Sequence, residues 1–265
     1  MENKPNQTEE KDDLFNLVAD TIMKWYDQTF TTFTIAKPER RGTDIELSGI
    51  LLVAKKQTLG ALTTLVNKHI LPTHALLRTL VETYIVLAWA LSNLPNDKKT
   101  TSDEVYKKLR RWDYTRLKKD EKFLEDLSQT PKIESAIGKV KGDIEKLQEK
   151  GIKELPNRKQ LFRSLGGGYQ DKEKECDELY ARLYRRYSRA VHLNRNVSQQ
   201  LVWKQEDSEK PKLLYKGDIE PDGNELLIMA TISCNINKAV RGFYGGQSDA
   251  IQNEYEQIAS KLTST

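Results

Sequence analysis

Apolar positions along this chain recur at the three-and-four spacing of amphipathic helices almost throughout, and strand-like alternation is nearly absent. Leu14, Leu17, Val18, Ile22, Trp25 and Tyr26 fall on the inner face of a first helix. Asp12 or Asp13 caps it, and it runs to about residue 32. A charged turn at residues 37–42 precedes a second long helix, capped by Thr43 or Asp44 and reaching Asn67. Its apolar set includes Ile45, Leu47, Ile50, Leu51, Val53, Leu59, Leu62 and Leu65. Pro72 marks a break or the first turn of the next helix.

The third helix, about residues 73–94, is the most hydrophobic in the chain, and a helix apolar all round is expected at the centre. Within it Arg78 and Glu82 stand four apart and can pair. That pair is either an ion pair at the edge of the core or a support for a later functional helix. Two helices of alternating charge, about residues 102–127 and 131–150, predict a partly exposed hairpin. A short helix at 158–165 and three glycines lead into residues 169–203, which no glycine or proline interrupts after Tyr169. A small β-hairpin or irregular excursion is expected near 200–217, then helices at about 225–243 and from Ser248 or Asp249 to 262. The pattern therefore predicts an all-α bundle of eight or nine helices. Residues 1–11 form a disordered lead, residues 12–265 a single helical domain, and the charged hairpin at about 101–151 a candidate insertion.

Composition changes this picture little. Charged residues make up 31% of the 265 positions, as suits long helices with solvated outer faces, and the net charge of +4 is mild. Cys176 and Cys234 stand far apart and fit neither a disulfide framework nor a metal motif. The polar, acidic start is unlike a signal peptide, and the most apolar run, residues 83–94, is too short to span a bilayer. A cytoplasmic protein without membrane contact is expected. His69, His74 and His192 are the three histidines. His69 and His74 lie five apart without an HExxH pattern and read as helix-junction residues, so neither metal nor cofactor is expected. No strand-turn-helix element presents a serine for a Ser-His-Asp hydrolase. The basic cluster Lys107, Lys108, Arg110, Arg111, Arg116, Lys118 and Lys119, with Trp112 and Tyr114 inside it, can bind single-stranded nucleic acid. It reads more simply as a solvated face with its aromatics turned inward.

Chemistry concentrates in LYARLYRRYSRAVHLNRN, residues 179–196. Leu179, Leu183, Tyr184, Tyr187, Ala190, Val191 and Asn194 trace its apolar face. Arg185, Ser188, Arg189 and His192 form one stripe at about 100° per residue, overlapped by Tyr184, Ser188 and His192. Geometry prefers Arg185 or Arg189 as the partner of His192, and Arg186 remains open. A histidine titrating near neutral pH beside guanidinium groups can move a proton during RNA cleavage and stabilise charge on phosphorus. The RNA 2′-hydroxyl is then the nucleophile and no metal is required. The residues alone favour a plainer account, in which His192 is a satisfied polar group of the core and the arginines form a solvated face.

LLRTLVETYIVLAWAL and LYRRYSRAVHLN together resemble a bacterial helical family catalogued as domain of unknown function 5677, over roughly residues 40–245. The histidine segment also resembles the HEPN superfamily, whose members carry an arginine, four to six residues and a histidine. Here five residues separate Arg186 from His192, and Arg185 gives six. Tyr187 follows the arginine where that superfamily often has a small polar residue. The resemblance implies a metal-independent endoribonuclease, typically a homodimer with a site composed from two subunits, acting as a toxin or phage-defence effector. It carries catalytic roles onto His192 and onto Arg185 or Arg186. Arg189, Ser188, Tyr184, Glu82 and Arg78 would form the supporting shell. RNA would be the substrate, and a regulatory protein a candidate partner. The alternative is a non-catalytic helical module that binds a protein or nucleotide, with the Arg/Glu/His set as a buried structural network.

Overall fold

In the computed structural model the described residues are 7–35, 41–92, 94, 98–127, 130–157, 160, 161, 163, 187, 202–205, 212–215 and 224–264. Seven α-helices lie among them. These are α1 (Gln7–Phe30), α2 (Arg41–Val66), α3 (Ile70–Ala90), α4 (Lys98–Glu125), α5 (Pro131–Glu149), α6 (Asn224–Phe243) and α7 (Asp249–Ser264). A 3-10 turn, Thr31–Ile35, follows α1. Strands β1 (Val202–Gln205) and β2 (Lys212–Tyr215) pair antiparallel, Val202 opposite Tyr215 and Gln205 opposite Lys212. The fold is all-α with one small hairpin, as the pattern predicts.

Burial of apolar stripes explains the packing. α1, α2, α3 and α6 pack against one another, and Trp25, Tyr26, Leu47, Leu51, Leu77, Leu80, Met229 and Ile236 are fully buried between them. α2 and α3 run side by side, and Gly60 makes their approach close. A Cβ there would lie 3.2 Å from Leu76 Cδ1. Lys68, in the link between them, takes φ 59°, the left-handed conformation that often ends a helix. Buried hydroxyls lock three helices together. Tyr26 Oη donates to Ser233 Oγ at 3.2 Å and lies 3.1 Å from Thr58 Oγ1. α7 closes on α1, where Trp25 Nε1 and Lys24 Nζ each donate to the Glu254 carboxylate at 2.7 Å.

The charged hairpin is built in two parts. The first half of α4 adds Val105 and Leu109 to the main core. Its second half packs on α5 around a separate small core of Tyr114, Ile144, Leu147 and Ile152. Thr130 caps α5, its Oγ1 accepting from Ile133 N, and Pro131 sits in the first turn, where a missing N–H costs nothing.

Several boundaries differ from expectation for physical reasons. α1 begins at Gln7, inside the stretch read as a disordered lead. α2 begins at Arg41, so Thr43 and Asp44 lie inside its first turn and do not cap it. The Thr43 hydroxyl instead donates to Ser102 O at 2.8 Å, and the Asp44 carboxylate accepts from Tyr244 Oη. α2 also carries more apolar residues than one face can bury: Ile45, Val53 and Leu59, expected in its apolar set, are exposed, as is Leu17 on α1. Pro72 falls in the first turn of α3. At 21 residues α3 is long and apolar enough by composition to cross a membrane, against the expectation of too short a run, and half of its apolar window is buried in the bundle.

Candidate functional site

Three polar side chains interrupt the most apolar helix. His74, Arg78 and Glu82 stand at four-residue steps on α3, so they share one stripe that drifts by about 40° per step. Arg78 Nε donates to Glu82 Oε1 at 3.2 Å, with the two side chains only 15% and 13% exposed. The expected pair on the central helix is therefore formed, at the edge of the core.

His74 reaches across to α6. Its Nε2 lies 3.0 Å from Glu225 Oε1, and a carboxylate only accepts, so the imidazole donates from Nε2. Glu225 is in the first turn of α6, where the helix dipole favours an acid, and its side chain is 2% exposed. Tyr187, from the arginine-histidine segment, is helical and fully buried. Its ring meets the His74 imidazole edge-on, with centroids 5.0 Å apart and planes at 62°. The polar stripe of α3 thus grips an element from late in the sequence on one side and the start of α6 on the other.

This arrangement joins α3 to Tyr187 and to the start of α6. A histidine oriented by a carboxylate is also the geometry of a general base, but here Tyr187 covers the ring edge and the side chain is 18% exposed. His74, set aside from the sequence as a junction residue, is the centre of the described polar cluster. Glu225 and Tyr187 were missed as its partners. The signal was present: three polar residues at steps of four in an apolar helix mark a stripe with a buried partner.

His192, Arg185, Arg186, Arg189, Ser188 and Tyr184 lie outside the described residues, as does Cys176. Cys234 is buried, and burial pushes its thiol up to about 11. His69 is exposed in the link before α3. Among the described residues no group of three or more His, Cys, Asp or Glu is placed to hold a metal ion.

The basic cluster of α4 is largely engaged in packing. Lys108 and Arg111 lie over the Trp89 ring at 5.6 and 5.3 Å. Lys108 Nζ donates to Ser92 O and Arg111 Nε to Glu154 O, each at 2.9 Å. Burial lowers the pKa of both cations, against the pull of Glu104. Arg110 pairs with Glu46 and Asp113, and Lys118 with Glu121. Tyr114 is turned inward and accepts from Gln148 Nε2 at 3.0 Å. A cleft of about 370 Å³ opens between α4 and α5, lined by both signs of charge, including Arg110, Asp113, Arg116, Asp143 and Lys146.

A family model described as a family of unknown function (DUF5677) matches residues 47–210, more than half of the chain. The match takes in His74, Arg78, Glu82 and Tyr187 and stops short of Glu225. No curated protein and no solved structure matches the chain.

Proposed function

The chain belongs to this family of unknown function, DUF5677, and from the resemblance of its arginine-histidine segment to the HEPN superfamily we propose a metal-independent endoribonuclease of HEPN type. The observation that supports the reading is the placement of Tyr187, next in sequence to Arg186. It is helical, fully buried and seated on His74. Tyr187 thus joins the segment that carries the proposed roles to the polar stripe of α3.

In this reading His192 is the general base or acid for the 2′-hydroxyl and the leaving oxygen. Arg185 or Arg186 holds the scissile phosphate and stabilises its transition state. Arg189, Ser188 and Tyr184 support them, while Arg78 and Glu82 act from α3 behind the segment. Two copies face each other across a two-fold axis and double the positive field over the RNA. The reading includes a cytoplasmic protein without membrane contact, a role as a toxin or phage-defence effector, and a regulatory protein partner.

A second reading is favoured by the pairing itself. His74 with Glu225, and Arg78 with Glu82, are what a structural network in a non-catalytic binding module looks like. One experiment separates the two. Purified protein and its His192→Ala variant are incubated with RNA in the presence of a chelator. The ribonuclease reading predicts cleavage by wild type leaving 2′,3′-cyclic phosphate ends, and a loss of about 10²–10⁴-fold in the variant. No cleavage by wild type, or equal cleavage by both, ends it. A variant that instead melts several kcal/mol less stable supports the structural reading.

A further inference from the structure

The cleft of about 370 Å³ between α4 and α5 has the size of a small-molecule site. Its lining carries four cations, Arg110, Arg116, Lys146 and Lys150, two carboxylates, Asp113 and Asp143, and the apolar Leu117 and Leu147. Asp113 is shared: Arg110 Nη1 lies 2.7 Å from its Oδ2, and Arg116 Nη2 lies 3.7 Å from its Oδ1. One carboxylate therefore brings two guanidinium groups together. Arg110 also meets Glu46 of α2 through that same Nη1, at 3.2 Å, and its Nε has no hydrogen-bond partner. Arg116, at 3.7 Å from its acid, is beyond hydrogen-bond range, so its donors are unspent. Lys146 is held by Asp143 at 3.0 Å, whereas Lys150, at the C-cap of α5, forms no ion pair among the described residues.

The acids of the cleft are thus taken, while donors on Arg110, Arg116 and Lys150 remain. With Glu46 included, four cations face three carboxylates, an excess of one positive charge. We propose that the cleft binds a small phosphomonoester, its phosphate among Arg110, Arg116 and Lys150 and its organic part against Leu117 and Leu147. A phosphomonoester brings three terminal oxygens and a charge of about −1.5 to −2 near neutral pH. A carboxylate brings two oxygens and a single charge. Three cations with spare donors match the first, and guanidinium groups engage such oxygens in forks.

A nucleic-acid strand fits less well. A run of phosphodiesters needs a continuous cationic track, and Asp113 on α4 and Asp143 on α5 interrupt one on each wall. Arg116, Lys146 and Lys150 are exposed, so the site is weak and its affinity falls with salt. The Asp143–Lys146 pair also restrains it, because it occupies a lysine that a ligand could otherwise use. This inference does not rest on the ribonuclease reading, which concerns the arginine-histidine segment.

Titration of the full chain with phenyl phosphate, followed by amide NMR shifts at constant ionic strength, tests it. A dissociation constant near about 1 mM is expected. The largest shifts fall at residues 110–117 and 143–150, the two walls of the cleft. Benzoate binds more weakly, and phenol does not bind. Arg116→Gln/Lys150→Gln weakens binding about tenfold, and both side chains are exposed, so the fold is unchanged. Asp143→Asn, which frees Lys146, tightens it. Lys139→Gln, the same loss of charge on α5 outside the cleft, behaves as wild type. The proposal is overturned if phenyl phosphate does not saturate the protein by about 20 mM, or if phenol or benzoate binds as well. It is overturned equally if the double variant binds as wild type does. Displacement of phenyl phosphate by single-stranded DNA with hydroxyl ends, which carries phosphodiesters and no 2′-hydroxyl to be cut, also overturns it. None of these results bears on cleavage by His192.

Discussion

The α3–α6 contact and the α4–α5 hairpin both pair polar and charged side chains, and the two regions use them in opposite ways. In the hairpin the pairs are mostly local and wet: Asp143 and Lys146 are three apart on α5, with side chains 42% and 72% exposed. At α3 the pairs are shielded, and one of them joins residues 151 positions apart, His74 and Glu225. An exposed pair loses most of its Coulomb energy to water and to side-chain entropy. A shielded pair between distant elements costs more to form, and breaking it strands a charge away from solvent. The Asp143–Lys146 pair on α5 therefore lies on a solvated surface, whereas the His74–Glu225 pair joins two distant elements, α3 and α6.

The largest effect follows from breaking the shielded pair. Glu225→Ala leaves His74 without this acceptor and is expected to lose about 1–3 kcal/mol of stability in chemical denaturation. Replacing both partners, His74→Leu with Glu225→Leu, recovers most of that loss, because two apolar groups strand nothing. A loss below about 1 kcal/mol for Glu225→Ala would make the contact no different from those of the hairpin.

Next in size is the hydroxyl cluster of the core. Burial raises the Tyr26 phenol to about 12, against its hydrogen bonds to Ser233 and Thr58. A raised folded-state pKa means stability that is complete below the unfolded value of 10.0 and drains away as pH climbs toward about 12. Denaturation midpoints should fall over that alkaline window. Tyr26→Phe should lose about 1–2 kcal/mol at neutral pH and flatten the alkaline decline. An identical decline in the variant would assign it to other groups.

The smallest effect belongs to the hairpin. Asp143→Ala is expected to change stability by less than about 0.5 kcal/mol, and less still at high salt. A larger change would remove the distinction between the two regions.

Local signals were the legible ones. Helical periodicity gave the helices and the β-hairpin its place, and the four-residue step from Arg78 to Glu82 gave their pair. Tyr187 was placed on an apolar face, and it is fully buried. Distant pairing carries no local signal, so His74 passed as a junction residue and Glu225 went unnoticed. Thr43 and Asp44 have the chemistry of helix caps, and tertiary partners, Ser102 and Tyr244, claimed them instead. The apolar excess of α2 was read as core because periodicity alone does not say how much of a face the rest of the chain can cover.

The central claim is that the polar stripe of α3 grips the arginine-histidine segment through Tyr187. A double-mutant cycle between His74→Ala and Tyr187→Ala, read in denaturant unfolding, tests it most directly. The account predicts that the two losses fall short of additivity by about 0.5–3 kcal/mol, as residues in contact do. Strict additivity would contradict it.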